Sequence, residues 1–376
     1  MSALHRHGRR RAGAAPPSPP GGRVCVRALL CALFAAAAAA PPALWQVAGV
    51  AVARESGAKG ARTRANFDLG AQHAVVAAGL MSAEGRSFGG GRALSATSTS
   101  AALTKLAEAL QARGLSSAVA ARAGHGPVSM VSFDALLVDT LGLSATAAHV
   151  QQVAAGAGLR PPWYFGSEVV ARFLGLRYEQ PIGFEALDLY PGEALTRAEA
   201  AYSLAKALAL SEGDIVGARE ALGAFALPRY SADQLEPLRI AVSLIGYPYV
   251  WGGTTDGTED GLAHGGFDCS GFIWRVYKLS GLPWGEAIRG RTAAAQAGEI
   301  PKRARLRVAQ LRPGDLLFFG SAGYNGKVTE RSIDHEGLYL GDNWVIHSSE
   351  EGVYVLPLQG SWLGESFSFG RRVLAH

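Results

Sequence analysis

One cysteine and two histidines carry the chemistry this sequence offers. Cys269 stands in Phe267-Asp268-Cys269-Ser270-Gly271, and the apolar residues Phe272, Ile273, Val276, Tyr277 and Leu279 then recur at helical spacing as far as Gly281. That pattern predicts a helix with Cys269 at or near its N-terminus. Unpaired N–H groups at a helix start favour negative charge, and the thiolate is the nucleophilic form of cysteine. Cysteine is more often simply buried, but the polar neighbours Asp268 and Ser270 argue against an inert apolar pocket here. Cys25 and Cys31 lie far upstream in an apolar segment, so Cys269 has neither an internal disulfide partner nor companions for a zinc cluster.

The histidines fall on two segments that read as paired strands. Ile333 to Leu340 contains His335, Gly341-Asp342-Asn343 is a turn signal, and Trp344 to Ser348 contains His347. Strand side chains alternate faces. An odd-length loop of three or five residues puts His335 and His347 on one face, about 5 Å apart if opposite and about 7–8 Å if diagonal. One imidazole then serves as base and the other orients it. Upstream, Leu235 to Ile245 reads as a helix leading into Gly246-Tyr247-Pro248-Tyr249-Val250-Trp251-Gly252-Gly253.

Five segments in order resemble NlpC/p60 cell-wall cysteine peptidases: Tyr249 to Gly253, Asp268 to Gly271, Leu311-Arg312-Pro313-Gly314-Asp315 with Leu316 to Phe319, Asp334 to Gly341, and Val345-Ile346-His347. The resemblance covers about residues 232–376. It implies a papain-like α+β fold, with a cysteine-bearing helix packed on an antiparallel sheet that carries the histidines. It also implies hydrolysis of the γ-D-glutamyl to diamino-acid bond in peptidoglycan stem peptides. By the same resemblance Cys269 is the nucleophile, His335 the general base, and His347 the residue that orients the base. Tyr249 lies beside the thiol, where it helps hold the oxyanion together with the Cys269 backbone N–H. The resemblance to family members that take stem peptides with a free amino end further implies that Asp268 and Ser270 help hold that end and that Trp251 lines the pocket. Arg291-Thr292 with Gln296 match a structural segment of the family.

Two features depart from the family pattern. Glu336 replaces a small aliphatic residue after the histidine; alternation turns it away from His335, toward solvent or an arginine. The segment Thr254 to Gly266 is longer and more acidic than usual, and its His264 reads as a loop residue. The expected reaction is acyl-transfer hydrolysis through a thioester, needing neither metal nor cofactor. The competing readings are a non-catalytic peptidoglycan-binding module, and another thiol-based acyl transfer such as amidase or acyltransferase chemistry on the same fold.

The rest of the chain reads as delivery and anchoring. Residues 1–53 hold six arginines and no acid, then an apolar run from Ala28 to about Ala53 ending in Ala51-Val52-Ala53. That order is expected of an export signal, or of a membrane anchor if it is uncleaved. Residues 54–66 form a linker. Residues 67–225 are Ala- and Leu-rich with helical spacing and contain a weak repeat: Gly91 to Ser95 leads into Ala101 to Leu110, Gly126 to Ser129 into Phe133 to Leu143, and Gly192 to Thr196 into Ala200 to Leu210. Units of this kind bury their apolar faces only by stacking. Thr196-Arg197-Ala198-Glu199 resembles the signature of S-layer homology repeats. That likeness implies an anionic secondary cell-wall polymer as partner, with Arg197 as its ligand, although Thr196 and Glu199 also make a capping box that needs none. Residues 226–376 form the peptidase domain. Apolar residues make up 48% of the chain and charged residues 18%, which allows a buried core and excludes wholesale disorder. The net charge of +5 resides in the first segment; beyond it 30 basic groups face 31 acidic ones, so a nucleic-acid footprint is not expected. The expected location is extracellular and wall-associated.

Overall fold

The computed structural model describes residues 63–374 except 84, 86, 119–123, 178, 181–183 and 256–264. The expected leader, most of the linker and His264 lie outside the described residues. The described residues fall within one compact unit. It combines helices with a five-stranded antiparallel sheet.

The helical part begins with α1 (Leu69–Ala77) and continues through α2 (Ala96–Ala112), α3 (Met130–Thr140), α4 (Ser144–Gly156), α5 (Phe165–Phe173), α6 (Arg197–Ala209) and α7 (Glu212–Gly223). Its repeat has a structural counterpart. Ser95, Ser129 and Thr196 are the N-caps of α2, α3 and α6, each accepting an N–H from the third residue of its helix. Just before each cap, one apolar residue joins a closed ring of backbone hydrogen bonds. Leu94 N–H donates to Leu195 O (2.7 Å), Leu195 N–H to Val128 O (2.8 Å), and Val128 N–H to Leu94 O (3.0 Å). All three side chains are buried. Each segment thus satisfies the backbone of the next, and α2 packs on both α3 and α6.

Next come α8 (Ala232–Ser243), the short pair β1 (Thr254–Thr255) and β2 (Gly266–Phe267), α9 (Cys269–Trp274) continued by a π-helical turn over Arg275–Leu279, and α10 (Ala293–Gly298). The sheet contains β3 (Leu316–Phe319), β4 (His335–Gly341), β5 (Trp344–Ser349), β6 (Gly352–Pro357) and β7 (Phe367–Arg371), with α11 (Trp362–Ser366) between the last two. Strand order is β6-β5-β4-β3-β7. Helix α9 packs on β4 and β5 and α10 on β4, while α5 of the helical part packs on β6. One hydrophobic core therefore runs from Leu106 and Phe133 through Leu238 and Phe272 to Leu338 and Ile346.

The β4–β5 turn differs from the expected loop of three or five residues. Asp342 and Asn343, at φ 45° and 77°, make a two-residue connection in which both central residues are left-handed, the hairpin geometry that matches strand twist. Gly341 pairs with Trp344, and a bulge at Leu340 then shifts the register so that Gly337 pairs with His347. Without that extra residue His347 would face Leu338 and point away from His335. The bulge restores the parity and puts both histidines on one face, diagonal to each other.

Candidate active site

Asp268 caps α9 and places Cys269 at its first helical position. Cys269 is buried and is the free cysteine among the described residues. The backbone N–H groups of Ser270 and Glu336 reach its sulfur, which puts the thiol at the start of β4, where His335 stands. Those donors favour the thiolate. Burial outweighs them, so the thiol pKa is pushed well above its usual value.

His335 and His347 meet as the register requires. His335 Nε2 lies 3.0 Å from His347 Nδ1, with the rings nearly perpendicular at 86°. The walls of this site follow from the strand pairing. Phe319 is opposite His335 and Tyr354 opposite His347, with ring centroids 5.5 and 4.4 Å away. Trp362 of α11 closes the group at 5.3 Å from His335 and 5.7 Å from His347. Burial pulls His335 down to about 3 and, with the His335 charge adding to it, pulls His347 well below its ordinary value. Both shifts oppose ionisation of the thiol and of the imidazole at rest.

The contact is compatible with the tautomer a general base needs. For His335 to accept a proton through Nδ1, its Nε2 must carry hydrogen and donate to His347 Nδ1. His347 is then protonated on Nε2, an atom that is buried and has no hydrogen-bond partner among the described residues. In that arrangement His347 accepts from His335 and leaves His335 Nδ1 free to take a proton.

Tyr249 is half-buried, and its phenol is pushed up chiefly by burial, so it stays protonated. Trp251 projects from the following turn with 68% of its surface exposed. Asp268 and Ser270, expected to bind substrate, are buried in a network of their own. Asp268 Oδ1 accepts from Gly271 N–H (2.5 Å), Ser270 Oγ (3.0 Å) and Arg291 Nη1 (3.0 Å), while Oδ2 accepts from Gly252 N–H (2.9 Å) and Arg291 Nη2 (3.2 Å). Arg291 Nη1 also donates to Ser270 Oγ at 2.8 Å and Nη2 to Gly252 O at 2.7 Å. This arginine ties the cysteine cap to the turn after Tyr249. Its sequence signal was the Arg291-Thr292 pair, whose partner could not be read from spacing.

Two expectations change. Glu336 does turn away from His335, but it meets neither solvent nor a hydrogen-bonding arginine: it is 0% exposed and neither carboxyl oxygen has a partner among the described residues. Burial and the Asp268 charge push its pKa well up, with Arg371 and Arg291 opposing. Arg197 is not a surface ligand. It is buried, donates from Nε to Phe88 O (3.0 Å) and from Nη2 to Ser82 O (2.6 Å), and lies over the Phe88 ring. Among the described residues no cluster of His, Cys, Asp or Glu is arranged to hold a metal ion.

Residues 246–372 match the NlpC/P60 family. The bifunctional muramidase/DL-endopeptidase CwlT of Bacillus subtilis is 33% identical over 135 residues, which are 36% of this chain and 35% of that protein. A gamma-D-glutamyl-L-lysine dipeptidyl-peptidase of Bacillus cereus is 32% identical over 152 residues, 39% of this chain and 38% of its own. A crystal structure of an NlpC/P60 family protein from Bacillus cereus is 29% identical over 40% of this chain and 43% of that one, with a TM-score of 0.29. The chain spans a little over a third of the length of the two curated relatives.

Proposed function

Taking residues 246–372 as an NlpC/P60 domain, we propose that this protein is a cysteine peptidase that hydrolyses peptidoglycan stem peptides at the bond between γ-D-glutamate and the diamino acid. The observation that carries the reading is the 3.0 Å contact between His335 Nε2 and His347 Nδ1, at the start of the strand whose Glu336 N–H reaches the Cys269 sulfur. Relatives named as endopeptidases and as a gamma-D-glutamyl-L-lysine dipeptidyl-peptidase support the substrate class and the bond.

The reaction follows from the neutral resting pair. His335 Nδ1 takes the thiol proton as the sulfur attacks the amide carbon. The C=O electron pair moves to oxygen, which the Cys269 N–H and the Tyr249 hydroxyl stabilise. As the C–N bond breaks, the proton passes from His335 to the leaving amine, leaving a thioester on Cys269. Water, deprotonated by His335, attacks that carbonyl, and the returning proton restores the thiol. The three-segment ring of the helical part supports an S-layer-homology-like reading of residues 67–225. The substrate supports a place outside the cytoplasmic membrane, as the leader leads one to expect.

The test is digestion of purified peptidoglycan by the full chain, wild type and Cys269→Ala, with released fragments read by mass. Fragments ending in D-glutamate with the wild type alone are expected. Identical fragment sets from both proteins, or products cut at another bond, would refute the reading.

A further inference from the structure

A buried ionic cluster lies between the helical part and the catalytic part. Asp134 on α3, Glu168 and Arg172 on α5, and Arg177 and Glu179 just beyond it are all buried. Arg172 Nε donates to Glu168 Oε1 at 2.6 Å and Nη2 to Glu179 Oε1 at 3.0 Å. Arg177 pairs with Glu168 and stands 3.6 Å from Asp134 Oδ2. Burying so many charges is no efficient route to stability, because well-packed apolar residues often do as well or better. What such a cluster supplies is direction. Both guanidiniums converge on a single acceptor, the carbonyl of Gly246, with Arg172 Nη2 and Arg177 Nη2 each 3.2 Å from it.

Gly246 is where the catalytic part begins its approach to the thiol. It has φ +83°, and a Cβ there would stand 3.1 Å from Glu168 Oε1, so the position is shaped to the cluster. Gly246 N–H donates to Val353 O (2.9 Å) and Val353 N–H to Tyr247 O (2.8 Å), which docks this backbone on β6, the neighbour of the His347 strand. A Cβ at Gly352 would come within 2.7 Å of Glu179 Oε1, so β6 also starts against the cluster. Tyr249 follows three residues after Gly246. Pro248 O accepts from Phe267 N–H at 3.1 Å, and Phe267 leads directly into Asp268 and Cys269.

We propose that Arg172 and Arg177, which belong to the helical part, are positioning residues for the peptidase site, fixing through Gly246 the backbone that carries Tyr249 and, through Phe267, Cys269. The helical part then completes the catalytic centre in addition to any anchoring role. This rests on the peptidase reading above.

The test uses the full chain with Arg172→Lys and Arg177→Lys, each of which keeps the charge but loses the fork that serves a carboxylate and Gly246 O together. On a stem tetrapeptide kcat is expected to fall on the order of 10- to 100-fold with KM within about twofold, the cost of a small misplacement of reacting groups. Folded Lys variants with wild-type kcat overturn the proposal. If the Lys variants do not fold, Glu179→Gln preserves shape and the Arg172–Glu168 bond. Glu179 is pushed up to about 7 by burial, opposed by Arg172 and Arg177 and reinforced by Glu168; the buried Asp188 carboxyl faces it as well. The wild type carries the Glu179 charge only above that pH, so the kcat profiles should coincide below pH 7 and separate above it. Superimposed profiles throughout overturn the proposal. Should the wild type itself leave stem peptides uncut, the peptidase reading fails, and the rate of Cys269 alkylation by iodoacetamide then reads the positioning alone. A changed rate in the folded variants supports it and an unchanged rate overturns it.

Discussion

Glu336 offers the sharpest test of the electrostatics, because a carboxyl group that is 0% exposed with no partner for either oxygen must be neutral to be tolerated. The perturbation is Glu336→Gln, which keeps the shape and removes the ionisation. In the unfolded chain Glu336 titrates near its ordinary value of 4.5; in the folded protein its pKa is raised well above that, chiefly by burial. Between the two values the folded state binds the proton and the unfolded state does not, so folding stability falls as pH rises. The slope approaches about 1.4 kcal/mol per pH unit, the value for one differentially bound proton. Above the folded pKa the penalty is fully present and no longer grows. The glutamine variant lacks this dependence. The assay is urea unfolding of both proteins at pH 5, 6 and 7, read as the difference in stability at each pH. The other buried acids, Asp134, Glu179 and Asp188, titrate in both proteins and largely cancel in that difference. The variant should gain on the wild type from pH 5 upward by up to about 1.4 kcal/mol per unit until the folded pKa is passed. Parallel stability curves would show that Glu336 is solvated or paired, and would refute the argument from burial.

Two further outcomes concern the proposed catalytic residues. Because burial holds the Cys269 thiol above its usual pKa, alkylation of the free protein by iodoacetamide should climb about tenfold per pH unit from pH 6 to pH 9 without a plateau; a plateau below pH 7 would mean a stable thiolate–imidazolium pair. Replacing His347 with alanine removes the ring that orients His335 and should lower kcat on the order of 10²-fold in a folded protein, within the range attributed to general-base catalysis; unchanged steady-state kinetics would remove His347 from the mechanism.

How much of this could be read beforehand depended on the range of the interactions. The helix start at Cys269 is local: Asp268 caps it and the apolar spacing continues it. The two histidines could be paired by strand alternation, yet their shared face depends on the bulge at Leu340, which no spacing rule reveals. Alternation also gave the side on which Glu336 lies, but not that α10 packs on β4. Arg197 illustrates the opposite failure. Its place beside the capping box at the start of α6 was legible, while the Phe88 segment that buries it lies 109 residues away. The clamp on Gly246 joins residues 74 and 69 positions apart and leaves no mark in either local pattern.

The burial that makes the resting dyad neutral also explains why its parts come from so many elements. A thiol pushed up and an imidazole pulled to about 3 do not exchange a proton spontaneously; transfer becomes favourable only when the proton's departure coincides with bond formation to the substrate carbonyl. An idle thiol is then protected, because oxidation and alkylation follow thiolate character. Such a site tolerates little geometric error, since sulfur, ring nitrogen and oxyanion donors must act in one step. Every local device around it restrains a direction: the Leu340 bulge sets the face of His347, the His335–His347 contact holds the two rings together, Arg291 holds the cysteine cap to the Tyr249 turn, and the two guanidiniums hold Gly246. A permanently ionised dyad would need less of this, because an existing thiolate attacks without waiting for its base.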